Sequence, residues 1–326
     1  MHILILGAAG MVGRKLVERI ARDGTLAGRT VERATLHDIV APQAPAGAPF
    51  ATTCTASDFS EPGEAERLIA GRPDVVFHLA AIVSGEAEAD FEKGYRINLD
   101  GTRYLFEAIR LAGDGYAPRV VVTSSVAVFG APFPEAIGDE FLSAPLTSYG
   151  TQKAIGELLL SDYTRRGFFD GVGIRLPTIC VRPGKPNKAA SGFFSNIMRE
   201  PLAGVEAVLP VSDDVMHWHA SPRAAVGFLL HAAGLDGAKV GPRRNLTMPG
   251  VAATVAEQIE ALTRISPRAA GLIRREPDAL IQRIVGGWPR RFDARRAEAL
   301  GFKAESNFDE ILRVHVEDEL GGRIAA

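Results

Sequence analysis

The order of apolar runs and glycines at the start of the chain constrains the fold more than any other feature. MHILILGAAGMVGRKLVERIARDG sets a short apolar run before Gly7, Gly10 and Gly13, then places Leu16, Val17 and Ile20 at helical spacing. Strand, tight glycine turn and helix, in that order, form the context in which a glycine fingerprint binds a dinucleotide. Gly7 permits the turn, Gly10 lets the backbone approach a pyrophosphate, and Gly13 lets the helix pack close to the strand. The unpaired N–H groups that open the helix, at Met11 and Val12, would face the phosphates. The spacing is GxxGxxG, and glycines serving only as a strand-to-helix turn are the alternative.

The alternation continues. VERATLHDIV reads as a second strand, Phe50 to Thr55 as a third, Asp74 to Leu79 as a fourth, Arg119 to Ser124 as a fifth and GVGIRLPTICV as a sixth. Helical periodicity falls between them, at Glu61 to Ala70, in one long helix from Asp90 to Ala112, and around Tyr149. Strands this apolar, separated by helices, imply a parallel sheet covered on both faces. The expected fold is α/β, a Rossmann-type doubly wound sheet with a smaller C-terminal lobe that closes over the substrate. Further helices are expected near Val255 to Arg264, Asp293 to Leu300 and Asn307 to Leu320. The expected division gives residues 1–180 to the cofactor domain, with 211–248 returning to it, and 181–210 and 249–326 to the lobe.

A second constellation carries chemistry. Tyr149 and Lys153, in SAPLTSYGTQKAIGELL, share one helix face and lie some 25 residues beyond the pair Ser124 and Ser125. An ammonium beside a phenol favours the phenolate, which makes tyrosine a usable base near neutral pH. At the end of the second strand, Asp38 can accept hydrogen bonds from an adenosine ribose and would repel a 2′-phosphate, favouring NAD over NADP. Asp58, with Phe59 after it, can reach the adenine or cap the following helix.

Composition narrows the partners. A net charge of −2 argues against nucleic acid or a membrane surface as the main partner. Cys54 and Cys180 form no disulfide framework or metal spacing, and both read as small core residues. No run of about 18 apolar residues exists, and a cytoplasmic protein is expected.

GAAGMVG, VVFHLAA at 75–81, NLDGT at 98–102, VVTSSVAVFG at 121–130, YGTQK and RLPT at 175–178 occur in the order of the extended short-chain dehydrogenase/reductase family. That resemblance covers residues 1 to about 235. It implies that Leu79, Ala80 and Ala81 wall the cofactor, that Asn98 holds the active-site helix, and that Ser125 orients the substrate oxygen, with Ser124 the lesser candidate. It further implies Tyr149 as base, Lys153 on the nicotinamide ribose, and Pro177 and Thr178 beside the nicotinamide. Dehydratases of the family place an Asp-Glu pair where Val126 and Ala127 stand, so dehydration is not expected. Phe129 replaces a frequent tyrosine.

Substrate choice should lie in residues 181–204, which carry Arg182, Lys185, Lys188 and Arg199 with Asn187 and Ser191 as neutral donors. Such cations suit an anionic hydroxylated substrate, a sugar acid or a nucleotide diphosphate. Phe193 and Phe194 can seat a ring or anchor a helix. RLPTICVRPGKPNKAASGFF resembles one branch of the family, whose members oxidise the 2-hydroxyl of a four-carbon sugar acid, D-erythronate, with NAD. The alternative is a nucleotide-sugar epimerase that keeps its NAD bound. His217 and His219 read as a polar pocket wall or as satisfied structural histidines rather than a metal site. The family resemblance also implies a homodimer through the helices after Asp90 and around Tyr149.

Overall fold

The computed structural model describes residues 1–184 and 191–325. Its centre is a seven-stranded parallel sheet built from β1 (His2–Leu6), β2 (Arg33–Asp38), β3 (Ala51–Ala56), β4 (Val75–His78), β5 (Arg119–Ser125), β6 (Asp170–Leu176) and an edge strand, Asn245–Thr247. The order across the sheet is Asn245–Thr247, β6, β5, β4, β1, β2, β3, and every pairing is parallel. Chain order reverses at β1, which sits between β4 and β2. A doubly wound sheet opens its binding crevice at such a switch, beyond the carboxyl ends of the strands.

All five residues of β1 are buried, because alternate side chains enter different layers. Ile3 and Ile5 pack with Leu16, Val17 and Ile20 of α1 (Met11–Asp23) and with Phe228 and Leu229. Leu4 and Leu6 pack on the other face with Leu68 and Ile69 of α2 (Glu64–Ile69) and with Leu105, Phe106 and Ile109. The strand therefore reads as a continuous apolar run.

One expectation fails here and another is refined. Cys54 is exposed, since β3 is the sheet's outermost strand and most of its residues face water; Cys180 alone is buried. The helix expected from Asp90 to Ala112 runs from Phe91 to Leu111 but carries a π-helical turn. After α3 (Ser84–Ala89) come α4 (Phe91–Gly94), a π-helical turn over Tyr95–Asp100, and α5 (Gly101–Leu111). Apolar spacing runs on through such a turn, which inserts one residue per cycle without changing composition.

The sixth strand also divides. After β6 ends at Leu176, Thr178–Ile179 pairs with Met216–Ala220, which pairs antiparallel with Val251–Thr254 in a second small sheet. Around it a separate core joins Phe194, Met198, Leu202, Leu262, Ile311 and Leu312. Helices at Val255–Ile265, Arg295–Ala299 and Phe308–Leu320 lie in this C-terminal part.

Candidate active site

The glycine loop leaves β1 at the switch point. A Cβ on Gly7 would stand 2.7 Å from the Ala80 nitrogen, and one on Gly13 would stand 2.1 Å from the Gly7 carbonyl oxygen. Both contacts are with backbone, so only glycine lets the loop, the start of α1 and the segment after β4 close on one another. Gly10 is the N-cap of α1 and no side chain caps the helix. The N–H groups of Met11, Val12 and Gly13 therefore have no partner within the helix and lie at its electropositive end. A dinucleotide pyrophosphate fits this cradle.

Asp38 closes β2 beside the loop. Its Oδ2 accepts from the Ala9 N–H at 2.9 Å and its Oδ1 from the Ile39 N–H at 2.7 Å. The carboxylate is thereby tied to the glycine turn, half-exposed where a ribose would lie. Asp58 does not cap a helix, because α2 begins at Glu64 behind Gly63. Burial pushes its carboxyl up, yet the Ser60 hydroxyl at 2.5 Å and the Ser60 N–H at 3.0 Å, both donating to Oδ1, and Arg96 Nη1, donating to Oδ2 at 2.6 Å, hold it below the usual range. Phe59 turns its ring into the core against His78. Leu79, Ala80 and Ala81 follow β4, half-buried, beside Gly7.

Ser124 and Ser125 end β5 on opposite faces, as strand neighbours must. Buried Ser124 donates to Glu157 Oε1 at 2.5 Å. Ser125 faces the crevice, accepts from the Ala127 N–H at 3.1 Å and hydrogen-bonds with Tyr149. The helix that carries Tyr149, α6 (Ser148–Arg165), is capped by Thr147, whose Oγ1 accepts from the Gly150 N–H at 3.1 Å. A Cβ on Gly150 would stand 2.2 Å from the Ala127 oxygen, so this glycine is what lets the helix approach Ser125.

Lys153 lies one turn on, its Nζ 5.7 Å from the centre of the Tyr149 ring and donating to the Thr123 carbonyl at 2.9 Å. Burial pushes its ammonium down to about 8, opposed by the Glu157 carboxylate. Burial pushes the Tyr149 phenol up, while the Ser125 hydrogen bond and the Arg182 charge pull it down. Two cations thus stand near the phenol: Arg182, whose charge pulls it down, and Lys153, beside its ring and anchored to a strand carbonyl.

Asn98 sits in the π-helical turn, buried. Its Oδ1 accepts from the Ile82 N–H at 2.9 Å, and its Nδ2 donates to Gln152 Oε1 at 2.8 Å. It therefore ties the segment after β4 to α6. Sequence reasoning passed over Gln152, Glu157 and Arg175, although Gln152 precedes Lys153 and Glu157 follows it at helical spacing.

Beyond Pro177, Thr178 Oγ1 and His217 Nε2 are 2.8 Å apart, and His217 Nδ1 lies 2.8 Å from the Pro289 oxygen. His219 is fully buried at 3.1 Å from Gln258 Nε2. Burial pushes both imidazoles down, His217 to about 4, so both are neutral, and His219 packs against Phe194 and Phe308. Phe193 and Phe194 are buried in the second core and anchor α7 (Gly192–Leu202). Arg182 donates from Nε to the Ile179 oxygen at 3.0 Å and from Nη2 to Ser191 Oγ at 3.2 Å. Among the described residues no carboxylate pairs with it. Arg199 donates to the Arg182 carbonyl and pairs with Glu200, so it supports the segment. Lys185, Asn187 and Lys188 lie outside the described residues.

Comparison with known proteins agrees with this fold. Residues 3–218 match the NAD dependent epimerase/dehydratase family. The chain is 48% identical to D-erythronate dehydrogenase of Cupriavidus necator over 98% of both chains. It is 40% identical to D-erythronate dehydrogenase of Haemophilus influenzae over 98% of this chain and 100% of that one. The crystal structure of a nucleoside-diphosphate-sugar epimerase from Agrobacterium tumefaciens is 68% identical, covers 99% of this chain and 95% of its own, and superposes with a TM-score of 0.97. With its glycine cradle, its reversal at β1 and its Tyr149–Lys153 helix, the chain belongs to the NAD dependent epimerase/dehydratase family, within the extended short-chain dehydrogenases/reductases.

Proposed function

We propose that the protein is an NAD-dependent dehydrogenase that oxidises the 2-hydroxyl of D-erythronate, a small sugar acid, to the 2-oxo acid. The observation that carries the reading is Arg182, a guanidinium without a carboxylate partner among the described residues, close enough to Tyr149 to pull its phenol down. A fixed cation there suits the carboxylate of a substrate whose adjacent carbon bears the reacting hydroxyl. Two full-length relatives named D-erythronate dehydrogenase support the same substrate.

In this reading Gly7, Gly10, Met11, Val12 and Gly13 hold the pyrophosphate. Asp38 takes the adenosine ribose, Asp58 and the Phe59 backbone border the adenine, and Leu79, Ala80, Ala81, Pro177 and Thr178 flank the rest. Bound NAD supplies the acceptor for the hydride that leaves C2. Ser125 orients the substrate oxygen, and Tyr149 takes its proton. Lys153 holds the ribose hydroxyls and adds positive charge near the phenol, while Asn98 keeps α6 in register. Arg182, Ser191 and the segment of Lys185, Asn187 and Lys188 receive the acid. Residues 1–180 and 211–248 form the cofactor domain, and 181–210 and 249–326 the substrate lobe. The enzyme acts as a homodimer in the cytoplasm, a reducing compartment that suits its two unpaired cysteines.

A second reading, an epimerase of a nucleotide sugar, is favoured by the name of the 68% identical structure. Absorbance at the NADH band separates the two. Purified protein with NAD and a panel of four-carbon sugar acids should accumulate NADH. Conversion of a UDP-sugar to its epimer, with no acid reducing NAD, would reverse the choice.

A further inference from the structure

Lys153 is a half-buried cation with one acceptor among the described residues, the Thr123 carbonyl, and a carboxylate one helical turn beyond it. That carboxylate, Glu157, is itself 6% exposed and is held from three directions. Ser124 donates to Oε1 at 2.5 Å, Arg175 Nε donates to Oε1 at 2.8 Å, and Arg175 Nη2 donates to Oε2 at 2.7 Å. Arg175 in turn lies over the Phe129 ring, 4.8 Å from its centre, and Phe129 packs against Phe141 and Phe292. Phe129 thus offers an aromatic face on which a guanidinium rests.

Lys153 and Glu157 line one cavity of about 10 Å³, with Asn98, Thr102, Thr123, Ser124, Gln152 and Asn245. That is room for about one water molecule, so little solvent stands between the two groups. The other groups facing Lys153 offer little opposing charge. His78, on β4, is kept neutral by burial and by Lys153 itself, with a pKa pushed down to about 3. Tyr149 is the group Lys153 serves, Asn98 and Gln152 are neutral, and Arg175 stands behind Glu157 and partly cancels it. Burial alone favours the neutral amine of Lys153, and Glu157 is the carboxylate that opposes it.

We propose that Glu157, clamped by Arg175 and Ser124, is a positioning residue that keeps Lys153 charged and so maintains both the ribose contact and the field on Tyr149. This rests on Tyr149 and Lys153 being the reacting pair. The pair Glu157–Arg175 is the device that lets this narrow site carry an ammonium at the pH where the tyrosine must act as base. Arg175 gives the carboxylate its fixed position, and the i to i+4 spacing on α6 fixes its distance from Lys153 whatever the lobe does.

The test reads NAD affinity between about pH 6 and about pH 10, the range that brackets lysine in a buried site. It needs no sugar acid, so failure of the substrate assignment leaves it intact. In E157Q the fall in affinity with rising pH should begin about one unit lower than in the parent, giving roughly tenfold weaker binding in the interval between. E157Q leaves Arg175 unpaired and can lose stability, so E157Q/R175M is measured beside it; exchanging a buried ion pair for neutral side chains is often tolerated. The double variant should keep a downward shift, smaller because Arg175 no longer repels the ammonium. A midpoint equal to the parent's in the folded double variant, or in E157Q, overturns the proposal and leaves the ion pair a purely structural tie.

Discussion

Replacing Arg182 by methionine tests the substrate assignment most directly. The guanidinium is already oriented before any substrate arrives. Ile179 accepts from Nε at 3.0 Å, Ser191 accepts from Nη2 at 3.2 Å, and Arg199 Nη1 holds the Arg182 carbonyl at 2.7 Å. Little side-chain entropy is left to lose on binding. A charge-assisted hydrogen bond in such a site contributes about 1.5–3 kcal/mol, which corresponds to about a 10- to 150-fold loss in kcat/KM. Arg182 also pulls the Tyr149 phenol down, so R182M should slow any substrate at low pH. The two effects separate when each enzyme is assayed with the sugar acid and with the neutral polyol of the same carbon skeleton. The phenol effect is common to both substrates; the carboxylate effect appears only with the acid. Parent and variant should differ by the full factor for the acid and by much less for the polyol. Equal losses on both would refute a carboxylate at Arg182, whatever the size of the loss.

Three further outcomes are expected. Y149F removes the base, and kcat should fall by about 10²- to 10⁴-fold with the melting temperature unchanged; retained turnover would assign the base elsewhere. D38N keeps one of the two acceptor oxygens that hold Ala9 and Ile39 but drops the charge, so the ratio of NADP to NAD dissociation constants should move toward one. An unchanged ratio would remove Asp38 from the ribose. Phe91, Leu111 and Leu158 are 59%, 63% and 72% exposed along the helices from α4 to α6, which is the surface a homodimer would cover. Sedimentation should give a dimer, and L158E a monomer; a monomeric parent protein rules the interface out.

The parts of this fold that could be read from residues alone are those set by local chemistry. Gly7, Gly10 and Gly13 announce themselves because a backbone approach leaves no substitute for glycine, and the central strands announce themselves because both faces are buried. Tyr149 and Lys153 are visible because helical spacing alone puts them on one face. What escaped depends on which elements become neighbours. Cys54 looks like core until β3 is known to be the last strand. Glu157 looks like one more helix charge until Arg175, 18 residues on, is seen to close over it. Asp58 looked free for adenine or a cap, yet Arg96 reaches it from a helix turn 38 residues away.

The π-helical turn at Tyr95–Asp100 acts as a phase shift in the helix that crosses the active site. A straight α-helix advances about 100° per residue, so one extra residue turns everything upstream by that angle relative to everything downstream. Leu105, Phe106 and Ile109 can therefore serve the sheet while Asn98 looks at Ile82 and Gln152, and Arg96 at Asp58. Deleting a single residue from this turn would leave a better helix and a blind one: the apolar face would still dock, and the asparagine would point away from the helix it steadies.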